Sequence, residues 1–181
     1  MKMTNEFFRE ECVLVIIDMQ EKLLAVMDEK EKVLSNALKL ARFAKIVGVP
    51  VLVTEQEKLG PTVSELANEI NGFDPISKLD FDAYQVPRFA ETLMELSRWT
   101  VVLAGIESHI CVTQTALSLL RFFNVHIVAD AVSSRTAENR TIALERMGFE
   151  GATITSTEMF IYEALKRAGT DEFKETLKLI R

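Results

Sequence analysis

Three side chains of the reactive kind close separate apolar runs. Asp18 ends CVLVIID, Lys78 ends the short ISK, and Cys111 follows TVVLAG by six residues. Cys111 has the sharpest chemistry. Ile110, Ala116, Leu117, Leu120 and Phe123 recur at mostly helical intervals, which predicts a helix with Ser108 as its N-cap and Cys111 in its first turn. Unpaired N–H groups at a helix start favour an anion, so position alone would stabilise a thiolate there. A small, buried, apolar cysteine is the competing reading. Asp18 could likewise only bind nearby N–H groups, and Lys78 could be a solvated charge.

These residues need a scaffold to bring them together. Residues 12–18 and 100–104 are β-branched and apolar, as in strands buried on both faces of a parallel sheet. Further strands are expected at 49–54, 76–78, 125–129 (ending at Asp130) and 152–155. Helical spacing or capping signals fall between them: 29–47 stopped by Gly48, 62–70 stopped by Asn71-Gly72, and 87–97 opened by Pro87. After a loop at 131–135 comes a helix through Met147, closed by Gly148. Ser156-Thr157-Glu158 caps another that runs to Ala168, and Asp171 begins a last short one. Alternating strands and helices imply a six-stranded, mostly parallel sheet covered on both faces, in a single domain spanning 1–181. In such folds ligands bind beyond the carboxyl ends of the strands, where Asp18, Lys78 and Cys111 all fall.

Composition narrows the partners. A net charge of −6 and a pI near 5.1 supply no basic footprint for nucleic acid or for an anionic membrane surface, so a small solute is the expected partner. The longest unbroken apolar run, 13–17, is far short of a membrane span, and MKMTNEFFREE lacks the basic and apolar regions of a signal peptide. A soluble, cytoplasmic protein is expected. Cys12 opens a strand and Cys111 follows the end of another. At roughly 3.3 Å per residue they stand about 15 Å apart, so both are read as thiols, with Cys12 as core packing.

The motifs LVIIDMQ (14–20), VTEQEKLGPTVSEL (53–66), ISKLDFDA (76–83), LAGIESHICVTQTALSLL (103–120) and VADAVSSR (128–135) together resemble the isochorismatase-like cysteine hydrolases. The likeness is greatest to the subgroup called isochorismatase domain-containing proteins, and it runs from about residue 12 to 165. It implies a three-layer α/β/α sandwich and an Asp–Lys–Cys triad whose motif positions hold Asp18, Lys78 and Cys111. It further implies that Asp18 accepts the thiol proton, Cys111 attacks a carbonyl to form a thioester, and Asp18 then activates water. Lys78 would favour thiolate over thiol. The resemblance also implies a non-proline cis peptide between Ile106 and Glu107, and an oxyanion hole is expected from the N–H groups of Glu107 and Cys111. Dimers or larger closed assemblies are common in the family, so a homo-oligomer is expected.

The departures also inform. Nicotinamidases of this family bind a metal through an Asp and two His residues after the second strand, but TEQEKLG has no histidine. Glu55 and Glu57 alone are poor zinc ligands, so neither metal nor other cofactor is expected. True isochorismate hydrolysis proceeds without the cysteine, so Cys111 argues against it. Strand-end topology makes Gln20, Glu55, Gln56, Phe81 and Ser108 candidates for the substrate pocket, and His109 is a further one beside the cysteine. His126 is read as a satisfied structural residue, Asp130 with residues 133–135 as fixing loops, and Trp99 as core or interface. The favoured reading is a metal-independent cysteine hydrolase cleaving a C–N bond of a small amide, ureido or carbamoyl-type substrate. Its rivals are a non-catalytic binding or scaffold protein and a thiol redox protein, the latter without a resolving cysteine near Cys111.

Overall fold

β1 (Cys12–Ile17) lies at the centre because none of its six residues can meet water, and all six are fully buried. Cys12, Leu14 and Ile16 face one helical layer while Val13, Val15 and Ile17 face the other, the period-two alternation of a strand. The computed structural model describes residues 7–180, so residues 1–6 and 181 of the expected domain lie outside the described part. The remaining strands are β2 (Val51–Gln56), β3 (Ile76–Lys78), β4 (Thr100–Ile106), β5 (Asn124–Ser133) and β6 (Thr153–Thr155). They lie in the order β3-β2-β1-β4-β5-β6, and every pairing is parallel.

The helices are α1 (Glu21–Leu24), α2 (Lys30–Val47), α3 (Ser64–Ala67), α4 (Pro87–Glu95), α5 (Thr113–Leu119), α6 (Ala137–Phe149), α7 (Thr157–Leu165) and α8 (Asp171–Ile180). α2, α7 and α8 pack through Leu40, Phe43, Phe160 and Ile180 on one face of the sheet. α4, α5 and α6 pack through Phe89, Leu93, Leu119 and Met147 on the other. The chain builds outward from β1 to β3, then returns to lay β4 on the opposite side of β1. That reversal makes the carboxyl ends of β1 and β4 the switch point where such sheets open a crevice.

Five expectations need correction. The helix expected over 62–70 shortens to α3, because Glu55 holds both the backbone N–H and the hydroxyl of Thr62 at 2.7 Å and keeps the preceding chain extended. The fifth strand continues past Asp130 to Ser133. Between Leu103↔Ile127 and Gly105↔Val132 its register slips, and the displaced carbonyls find side-chain donors: Arg140 reaches those of Ala129 and Val132, and Asn36 that of Asp130. Gly148 lies inside α6 instead of closing it, and α7 stops at Leu165, where Lys166 takes a positive φ of 58°. Asp130 does fix a loop, since its Oδ1 receives the backbone N–H and hydroxyl of Thr157 at the start of α7. His126 is half-buried with its Nδ1 unpartnered among the described residues, so it is not the satisfied histidine expected; burial lowers its pKa.

Candidate active site

Asp18 follows directly on Ile17 and is fully buried, with a positive φ of 51° that turns the chain out of the strand. Its Oδ1 accepts the hydroxyl of Thr54 at 2.7 Å, and its Oδ2 stands 2.8 Å from Lys78 Nζ. Both members of this ion pair have side chains wholly shielded from solvent. Strands lie about 4.8 Å apart, so the backbones of β1 and β3 are about 10 Å from each other with β2 between them. Only a long side chain crosses that gap. Lys78 does so over Gln56, donating to Gln56 Oε1 at 2.7 Å and to the Asp80 carbonyl at 3.2 Å on the way. The contact with Oδ2 is close but poorly aligned for a hydrogen bond, which leaves that oxygen able to accept another proton.

Cys111 reaches the same place from β4. Gly105, at φ 124°, lies opposite Ile17 in the pairing, and a Cβ there would fall 2.1 Å from the Ile17 carbonyl oxygen. The absent side chain lets β4 press against β1 just before Asp18. The Ile106–Glu107 peptide bond is cis, and Ser108–Val112 then forms a single π turn that feeds α5. Ser108 is therefore not an N-cap. Its carbonyl accepts the Thr113 backbone N–H and hydroxyl, while its own buried hydroxyl has no partner among the described residues.

The thiol of Cys111 lies near enough to Asp18 and Lys78 for both charges to act on it. Its acidity is the opposite of the expectation. Burial first, then the charge of Asp18, push Cys111 up to about 12, and Lys78 offsets only part of this. Cys111 is therefore a neutral thiol facing a carboxylate. Cys12 is also a free thiol and is likewise pushed up to about 12 by burial, as suits a core residue.

The other candidates separate into two groups. Gln20, Glu55 and Gln56 are each engaged by the protein itself: Gln20 donates to the carbonyls of Gln56 and Gly60 and accepts the Gln56 N–H, Glu55 clasps Thr62, and Gln56 holds Lys78. Ser108 is fully buried, Phe81 stands exposed, and the His109 Nδ1 lies 2.9 Å from Ser134 Oγ. Two partners escaped the sequence reading. Thr54 was legible only as a polar end to VLVT. Thr115 holds the Ala83 N–H at 2.9 Å and so fastens the segment after Lys78 to the helix that follows the turn carrying Cys111. A surface cavity of about 490 Å³ lies at the other end of the sheet beside Gly48, Pro50 and Arg98, away from these groups. Among the described residues no group of three or more His, Cys, Asp or Glu is placed to hold a metal, and no helix is long and apolar enough to cross a membrane.

A wholly parallel three-layer α/β protein that buries a carboxylate, a lysine and a cysteine beyond its strand ends is a recognisable class. The isochorismatase domain matches residues 12–159, and the chain belongs to this family of hydrolases. It is 39% identical over 177 residues to the secreted isochorismatase effector Isc1 of Phytophthora sojae, covering 93% of this chain and 84% of that one. To isochorismatase domain-containing protein 2A of Mus musculus it is 38% identical over 176 residues, covering 95% and 84%. The structure of the MAR1 ribonuclease of Caenorhabditis elegans has a TM-score of 0.90 at 35% identity, covering 97% of this chain and 92% of that one.

Proposed function

We propose that the protein is a metal-independent cysteine hydrolase that cleaves a C–N bond of a small amide, ureido or carbamoyl-type substrate. The observation that carries the reading is a buried thiol under the charge of a carboxylate whose Oδ2 has no hydrogen-bond partner among the described residues. A thiol near 12 is not a preformed thiolate, so Asp18 takes its proton as sulfur attacks the carbonyl. The N–H groups of Glu107 and Cys111 receive the developing oxyanion. Collapse breaks the C–N bond, Asp18 returns the proton to the leaving nitrogen, and a thioester remains on Cys111. Water then gives a proton to Asp18 and its oxygen to the acyl carbon; that proton restores the thiol as the acid departs. Lys78 pairs with the Asp18 carboxylate and holds it in line.

Mass spectrometry of the protein mixed with small amides, ureas and carbamates tests this. Wild type should carry a transient acyl mass on Cys111, and Cys111→Ala should carry none and lose turnover by about 10³-fold or more. Unchanged turnover in Cys111→Ala, or hydrolysis of RNA alone, would overturn the proposal. The C. elegans relative is described as a ribonuclease, but a net charge of −6 gives this chain little attraction for a phosphate backbone. The closed site equally suits a non-catalytic binding protein, which would be thermally stabilised by such ligands without consuming any.

The same proposal includes a homo-oligomer in a reducing, cytoplasmic setting. Trp99, Phe122 and Phe149 are each at least half exposed, and both cysteines are free thiols. Light scattering should return at least twice the 20.4 kDa chain mass; a monomer would refute the assembly. Recovery of the native protein from the secreted fraction would count against the compartment.

A further inference from the structure

The residue proposed to donate an N–H to the oxyanion also carries a negative charge of its own. Glu107 is buried, with its side chain only 7% exposed, and a carboxylate there opposes the very charge that its backbone is meant to receive. Arg135, just past the end of β5, meets it with a two-point fork: Nε to Oε1 at 2.6 Å and a terminal nitrogen to Oε2 at 3.2 Å. The guanidinium itself is 58% exposed, so it is well placed to neutralise the carboxylate while paying little desolvation. Its backbone is firmly seated. Neighbouring Ser134 is fully buried, accepts the Asp28 N–H at 2.9 Å and contacts His109 Nδ1, while Ser133 donates to the Asp28 carbonyl at 2.6 Å. The imidazole is the other potential cation facing Glu107, with Nε2 4.0 Å from Oε1, a longer and undirected approach.

We propose that Arg135 is a positioning residue for acyl transfer: by forking the Glu107 carboxylate it cancels a charge that would oppose the oxyanion and fixes the residue whose N–H receives it. The inference rests on the oxyanion role assigned to Glu107 above and assigns a task to a residue that does not touch the substrate.

Two reactions of one thiol separate this role from a merely structural one. Acylation of Cys111 by p-nitrophenyl acetate passes through an oxyanion, whereas alkylation by iodoacetamide is a displacement that forms none. Both are read as mass added to Cys111, on folded protein checked by its thermal midpoint. Arg135→Ala should slow acylation by about 10- to 100-fold, less than loss of an oxyanion donor itself, and change alkylation by no more than about threefold. Arg135→Lys, which keeps the charge without the fork, should fall between. In Glu107→Gln/Arg135→Ala the opposing charge is gone, so acylation should recover most of the way. Acylation at the wild-type rate in Arg135→Ala, a parallel fall of both reactions, or no recovery in the double variant overturns the inference and leaves Cys111 as the nucleophile. A wild-type Cys111 that alkylates but never acylates removes the oxyanion reading itself, and this inference with it.

Discussion

Gly105→Ala is expected to destabilise the protein by about 4 kcal/mol or more, at the extreme of single substitutions, and to abolish the site along with the fold. The cause is the backbone. An added Cβ would sit 2.1 Å from the Ile17 oxygen, 2.5 Å from its nitrogen and 2.8 Å from its carbonyl carbon, and none of these atoms is a flexible chain end. A φ of 124° adds a conformation that residues with a Cβ rarely adopt. To relieve the clash β4 must move away from β1, and those two strands carry Cys111 and Asp18. Gly48→Ala is the control: its φ is 70°, but nothing lies within 4 Å of the added carbon, so only the left-handed backbone term of about 1 to 2 kcal/mol applies. Urea unfolding of the two variants measures the difference. Equal midpoints would mean that β4 can retreat at no cost, and that the close approach is not what sets the site.

The same glycine shows how far the sequence could be read. In the sequence it stands as a full stop after an apolar strand, yet the strand continues to Ile106 and the glycine pairs within it. Chain order reveals that a run ends; which neighbour presses on it depends on strand order, which local pattern does not encode. Asp18, Lys78 and Cys111 were legible as strand-end residues because apolar runs, turn signals and alternation are local properties. That Lys78 must cross over Gln56 to reach Asp18 was not, because β2 lies between β1 and β3 only once the sheet is assembled. Strand-end placement likewise says which edge Gln20 and Glu55 occupy and nothing about the loop that each one holds. Ser108 and Cys111 failed as a helix start because the turn there is a π turn, whose widened ring uses the Ser108 carbonyl and not its hydroxyl.

The acidity of Cys111 differs furthest from expectation. A helix terminus and a lysine would both lower it; burial and a carboxylate outweigh the lysine in the folded protein. At pH 8 a thiol near 12 is ionised in about one molecule in ten thousand, since each unit is a factor of ten. Alkylation of wild type should therefore climb about tenfold per pH unit from 8 to 11 without a plateau. A levelling near pH 8 would show an exposed, ordinary thiol.

Asp18→Asn and Lys78→Met should both lose turnover by about 10²- to 10⁴-fold, yet move the thiol in opposite directions. Asp18 holds the proton on Cys111, so Asp18→Asn removes an opposing charge and should make alkylation at fixed pH faster. The ammonium of Lys78 still has Gln56 Oε1 and the Asp80 carbonyl to hold it in that variant. Lys78→Met takes away the group that favours thiolate and should make alkylation slower. It also leaves the Asp18 carboxylate buried with the Thr54 hydroxyl as its one hydrogen-bond donor among the described residues, which should destabilise the fold by about 3 to 5 kcal/mol, whereas Asp18→Asn keeps its shape and loses less. The opposed signs matter because an active cysteine can owe its rate to acidity or to a base that acts in time with attack. If turnover simply follows alkylation, rising in Asp18→Asn, thiol acidity alone sets the rate and Asp18 is no base. If a more reactive thiol accompanies a dead enzyme, the carboxylate contributes by receiving the proton during bond formation, which is the role its free oxygen beside Cys111 permits.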